Sequence, residues 1–209
     1  MATSGGSYHH GDLRTALVRT GLEVAREQGP QGVAVRDVAR RVGVSHNAGY
    51  RHFADRDELL AAIAQSAMER LTAAMHEQVA LVDGSAAPVA RARERLKAVG
   101  RGYVGFALAE PGLFRVAFAG KADGADDHPD GPPTGEGPYG LLSEVLDELV
   151  EVGHLDAARR PGSEVTCWSA VHGFAELCLD GPLRLLPEPA RTAALEQLLE
   201  TVDRGLGSS

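Results

Sequence analysis

Residues 35–53 read VRDVARRVGVSHNAGYRHF, two short helical patterns meeting at a tight turn. In the first, Val35, Val38, Ala39 and Val42 recur at spacings of three, one and three, which sets them on one helical face. Gly43 follows, a residue that readily takes the left-handed conformation ending a helix. Ser45 then offers a side-chain oxygen to cap a second helix. That second helix carries His46, Asn47, Tyr50, Arg51 and His52, with almost nothing apolar before Phe53. A helix made only to fill a core would not be built from such residues. Side chains of this kind reach base edges and phosphates in a major groove, so the pair reads as a helix-turn-helix.

The charge of the chain points the same way once it is divided. The net charge of −8 over 209 residues argues by itself against a polyanionic partner. Residues 1–56, however, hold eight arginines against five acids, a net of +3, with four of the eight histidines. Residues 57–209 hold 13 lysines and arginines against 24 acids, a net of −11. Basic charge thus collects around the helix-turn-helix, and the acidic remainder turns that end towards phosphate. Two domains are expected, 1–56 for DNA binding and an acidic helical 57–209.

Outside residues 35–53 every periodic segment has the helical period. The expected fold is all-α with about nine helices: an N-terminal three-helix domain containing the helix-turn-helix, and a C-terminal helical domain. Asp12 is the expected cap of a first helix ended by Gly29-Pro30, and Asp55 that of a long helix running to about residue 82. Further helical patterns follow from Val89 to near Pro111-Gly112, then over 113–119, 139–152, 163–186 and 188–206. Residues 1–7 are small and polar and are expected to be disordered; His9 and His10 read as part of that leader or as an arm on DNA. Residues 120–138 have almost no apolar side chain and read as a flexible connection, a gate or a passive loop.

Several function classes are disfavoured. No apolar run approaches the roughly 20 residues that span a bilayer, and the N-terminus has no apolar signal core, so a cytoplasmic protein without a membrane partner is expected. Cys167 and Cys178 are eleven apart in one helical pattern, about 16 Å along the axis and too far to bridge; they are expected as buried, reduced thiols. A cysteine nucleophile with His172 as base is the enzymatic alternative, but Cys167 and His172 diverge around their helix. With no phosphate loop, no paired metal ligands and no nucleophile elbow, no enzyme, metal or cofactor is expected.

The order and spacing from Gly11 to Ala64 resemble the tetracycline-repressor (TetR) family of one-component regulators. The resemblance rests on the capped first helix, the VRDVARRVGVS motif, the YRHF ending of the recognition helix and the ADRDELL segment after it. Trp168 and His172-Gly173 in CWSAVHGFAEL look like the WHG-type regulatory domain of that family. The resemblance implies three helices for DNA and about six for ligand binding and dimerisation. It makes His46, Asn47 and Ala48 base readers, with asparagine suited to adenine and alanine to a thymine methyl. Tyr50 and His52 become phosphate contacts, with Ser45 and Arg51 as further ones. Arg36 is placed to touch a base or a phosphate, and Arg56 matches the family's basic phosphate contact. Gly49 departs from the pattern, standing where a bulkier residue is common; it either loosens the helix or lets the backbone approach DNA.

In the regulatory half Tyr103, Phe106, Phe114, Phe118, Trp168 and His172 are the candidate ligand-contacting residues, with Phe174 beside them, although each also suits an ordinary core. The last two helical patterns are apolar on more than one side and could pair across a two-fold axis. The expected function is a homodimeric regulator of double-stranded operator DNA, most simply a repressor released by a small-molecule effector. The alternatives are a C-terminal half that only dimerises or binds a protein, and activation in place of repression.

Overall fold

The computed structural model describes residues 10–119 and 137–207. Among the described residues it holds nine α-helices and no strand: α1 (His10–Gln28), α2 (Val35–Val42), α3 (His46–Tyr50), α4 (Arg56–Ala80), α5 (Pro88–Ala109), α6 (Pro111–Ala119), α7 (Pro138–Glu151), α8 (Ser163–Leu179) and α9 (Glu188–Leu206). The all-α expectation holds. α1 starts at His10, so Asp12 lies within the helix it was expected to cap. α8 stops at Leu179, short of the expected residue 186, and Pro182–Leu185 form a 3-10 turn. Gly181 precedes a proline, which disfavours helical backbone there. The expected leader, with His9, and residues 120–136 of the connection expected over 120–138 lie outside the described residues, while Pro138 belongs to α7 rather than to that connection.

The described chain forms two compact units, residues 10–67 with 112–119, and residues 68–111 with 137–207. The division falls inside α4, because its first turns bury Leu59, Leu60 and Ile63 with the helix-turn-helix core of Leu17, Val24, Val35, Val38 and Phe53. Asp55 and Glu58 cap α4 reciprocally: the Glu58 N–H donates to Asp55 Oδ1 at 2.8 Å, and Glu58 Oε2 accepts from the Ala54 N–H at 2.7 Å.

In the second unit α7, α8 and α9 each pack on α5. Apolar Leu96, Val99, Leu142, Leu146, Leu149 and Leu199 fill the core. Its rim is tied by arginine–carboxylate pairs. Arg101 clasps Glu196 with two bonds of 2.7 Å. Arg93 donates to the fully buried Asp203 at 2.9 and 2.6 Å, and His154 Nε2 reaches the same carboxylate at 3.1 Å. Among the described residues, no helix is long and apolar enough to cross a membrane.

Candidate nucleic-acid interface and regulatory cavity

The turn between α2 and α3 is built as its residues require. Gly43 adopts φ 84° and ψ 23°, the left-handed region that an L side chain resists. Its N–H bonds the Arg40 carbonyl at 3.1 Å while the Val44 N–H bonds the Ala39 carbonyl at 3.0 Å, closing the last turn of α2. Two residues later Ser45 Oγ accepts from the Ala48 N–H at 3.2 Å and starts α3. Both ends of the turn thus match the residues that predicted them.

α3 shows two opposite characters. Gly49 is buried, and Phe53, just past the helix, is fully buried. His46, Asn47, Tyr50 and Arg51 are exposed, as are Ser45 before them and Arg36 on α2; Ala48 and His52 are half-buried. Tyr50 leaves 49% of its surface open. One continuous face of imidazole, amide, phenol and guanidinium therefore stands open beside an apolar footing.

Gly49 corrects one expectation. Its position faces α2 rather than any groove. A Cβ built there would lie 3.1 Å from Ala39 Cβ and 3.2 Å from Val35 Cγ1. The missing side chain lets α3 lie close against α2, and the departure at this position is a packing device.

Arg56 also does something other than expected. Its Nε donates to the Val33 carbonyl at 3.0 Å and a terminal N–H to the Pro30 carbonyl at 2.7 Å, with Asp57 3.5 Å away. The guanidinium fastens the turn before α2 to the start of α4. Arg14, which sequence reasoning passed over, clamps the other end of the recognition element. It donates to the His52 carbonyl at 2.8 Å and lies 4.3 Å over the Phe53 ring.

The second unit holds a small apolar cavity of about 30 Å³, room for a water or two. Of the six expected ligand residues, Tyr103 and Trp168 line it. His172 stands behind, its Nδ1 hydrogen-bonded to the Tyr103 hydroxyl at 2.8 Å, and Phe106 is buried elsewhere on α5. Phe114 and Phe118 are not brought there. They meet edge to face with centroids 5.1 Å apart in α6, which packs within the first unit. The wall is completed largely by aliphatic residues, among them Leu96, Val99, Leu142, Val171 and Leu199, which sequence reasoning did not single out as ligand contacts. Apolar positions on the inner faces of α5, α7, α8 and α9 were the signal that could have found them.

Burial pushes the Tyr103 hydroxyl far above its ordinary value, with the Glu176 charge adding to the effect. Burial likewise pushes the Cys167 thiol up to about 12, which removes the thiolate a nucleophile needs. Both cysteines are buried and free. Among the described residues no group of three or more His, Cys, Asp or Glu could hold a metal ion.

Residues 17–63 match the family model described as bacterial regulatory proteins, tetR family, and residues 96–202 match that of the tetracyclin repressor-like C-terminal domain. A curated relative, the HTH-type transcriptional repressor Rv3405c of Mycobacterium tuberculosis, is 28% identical over 67 residues, which cover 32% of this chain and 36% of the relative. The match thus spans about a third of that relative's length. A solved structure described as a protein with unknown function from Rhodococcus sp. RHA1 aligns at TM-score 0.75 and 28% identity, over 97% of this chain and 100% of that one. A TetR from Acinetobacter baumannii AYE, solved in complex with minocycline, shares the fold at TM-score 0.58 and 17% identity, over 91% and 94% of the two chains. The helix-turn-helix geometry and the second matched region, which extends over half of the sequence, lead to one conclusion: the chain belongs to the tetracycline-repressor family of DNA-binding bacterial transcriptional regulators.

Proposed function

We propose that this protein is a cytoplasmic, homodimeric repressor that reads a two-part operator with α3 and is released from it by a small-molecule effector. The observation that carries the reading is the open polar face of α3 above a buried footing. His46, Asn47 and Ala48 lie at the helix start and are assigned to base edges; Ser45, Tyr50, Arg51 and His52, with Arg36, are assigned to phosphates. Arg56 is assigned to the scaffold, because two of its five donors are engaged by the Val33 and Pro30 carbonyls.

A five-residue helix reading one half-site binds weakly, and a dimer presenting two helices about one DNA turn apart supplies affinity and specificity. The surface that supports dimerisation is on α8, where Val165, Ser169, Gly173 and Leu177 recur every four residues and are all exposed. Small residues in the middle of that line allow two helices to approach closely.

Release follows from linkage: an effector that prefers one conformation of the second unit, and DNA that prefers another, oppose each other by the same free energy. α4 contributes residues to both units and is the assigned connection. The minocycline complex of the Acinetobacter protein supports a small-molecule effector by analogy of fold. A regulator whose second unit only dimerises is the second reading, favoured by the small size of the cavity.

Tyr50→Ala tests the DNA assignment. Loss of operator binding with an unchanged circular dichroism spectrum is expected. Full affinity in the folded variant would refute it.

A further inference from the structure

The polar groups around the second-unit cavity are satisfied by the protein itself. Lys97 is the charged residue of the wall, and its Nζ lies 3.3 Å from Glu94 and 3.4 Å from Glu200. The Tyr103 hydroxyl is bonded to His172 at 2.8 Å and hydrogen-bonds the Trp168 side chain as well. Cys167 stays a neutral thiol. The remaining wall is aliphatic: Leu96, Val99, Leu142, Val171 and Leu199 among others. The orphaned hydroxyl of Tyr139 lies off the wall, on a ring packed 5.7 Å from Trp168.

A ligand entering here meets no unpaired charge, because Lys97 already faces Glu94 and Glu200. A carboxylate would lose its water and find Lys97 already held by two acids, and burying an unpaired charge is strongly unfavourable. A polar neutral group would have to break the Tyr103 pairing or go unsatisfied. A hydrocarbon surface loses nothing and gains burial. The cavity admits such a molecule only by displacing side chains of its aliphatic wall, among them Leu199, which packs closely on Gly100.

We infer that the effector of the second-unit cavity is an uncharged, predominantly hydrocarbon molecule, and that the Lys97–Glu94–Glu200 cluster excludes anionic ligands. This rests on the reading of the second unit as an effector site.

Trp168 is the one tryptophan of the chain and stands in the cavity wall, so its emission reports occupancy. The full-length protein is titrated with p-xylene and, separately, with 4-methylbenzoate, matched in shape and differing in charge. A saturable change with p-xylene, at least tenfold tighter than with 4-methylbenzoate, is expected. In the double variant Glu94→Gln, Glu200→Gln, Lys97 is freed, together with Arg101 from Glu94 and Arg93 and Arg204 from Glu200, and 4-methylbenzoate affinity is expected to rise at least fivefold. Gly100→Ala places a methyl 2.4 Å from Leu199 Cδ2 and drives that side chain towards the cavity; it is expected to weaken p-xylene at least threefold.

Equal or tighter binding of 4-methylbenzoate to the wild type would overturn the inference. So would the absence of any saturable response to p-xylene, or a response that Gly100→Ala leaves untouched. Failure of the release mechanism reads differently: p-xylene saturates Trp168 with the expected selectivity while DNA stays fully bound at every concentration.

Discussion

Replacing Arg56 separates two roles that the same residue could hold. In the structure its guanidinium makes two charge-assisted hydrogen bonds, to the carbonyls of Val33 and Pro30. Such bonds contribute roughly 1.5–3 kcal/mol each when shielded. The side chain is 41% exposed, so the lower end applies, and Arg56→Ala is expected to cost about 3 kcal/mol of stability in the first unit. Arg56→Lys keeps the charge but loses the fork, and is expected to lose about half as much. Urea unfolding followed by circular dichroism gives the stability. Operator affinity as a function of salt gives the other half of the test, because each phosphate contact contributes about 0.9 to the slope of log K against log salt. The clamp predicts lower stability with the salt slope unchanged. A slope reduced by about 1.8 in Arg56→Ala, about 0.9 for each protomer of the dimer, with stability untouched, would refute it and restore Arg56 as a phosphate contact.

Three further perturbations test the packing and the charges. Gly49→Leu forces a branched side chain into a space where even Cβ meets Ala39 and Val35 at 3.1 and 3.2 Å, and an overpacking cost of roughly 1–3 kcal/mol with loss of operator preference in fluorescence anisotropy is expected. Tyr139→Phe removes a buried hydroxyl that lacks a partner, so a gain of about 1 kcal/mol in urea unfolding is expected, and a loss would show that the hydroxyl is satisfied. The Arg101 hydrogen bonds hold the Glu196 carboxyl below its ordinary 4.5 despite burial. Its contribution is therefore present above that value and is lost as pH falls through the depressed one. Glu196→Gln should flatten the fall of stability with acid below pH 4.5, read by urea midpoints across that range; an unchanged acid profile would contradict the pairing.

The helix-turn-helix was legible because its signals are local. Gly43 and Ser45 act within a few residues of themselves, and the structure bends and caps the chain where they stand. The recognition face was legible because exposed polar residues next to a buried aromatic need no distant partner to be noticed. The packing of Arg56 and Gly49 was not legible for the opposite reason. Their partners, the carbonyls of residues 30 and 33 for Arg56 and the inner face of α2 for Gly49, are set by tertiary packing. Phe114 and Phe118 were placed in the regulatory half by sequence order, whereas α6 packs within the unit of the helix-turn-helix. The cavity itself is made mostly of aliphatic residues that one-dimensional patterning cannot tell from any other core.

The central claim is sequence-specific binding by the exposed face of α3. Fluorescence anisotropy of the purified protein with duplex from its own upstream region, against a scrambled duplex at the same salt, tests it most directly. Fixed salt matters because non-specific phosphate binding shifts steeply with it. The account predicts a preference of about a hundredfold, roughly 2.7 kcal/mol, lost in Tyr50→Ala. Equal affinity for both duplexes, unchanged by Tyr50→Ala, would contradict it.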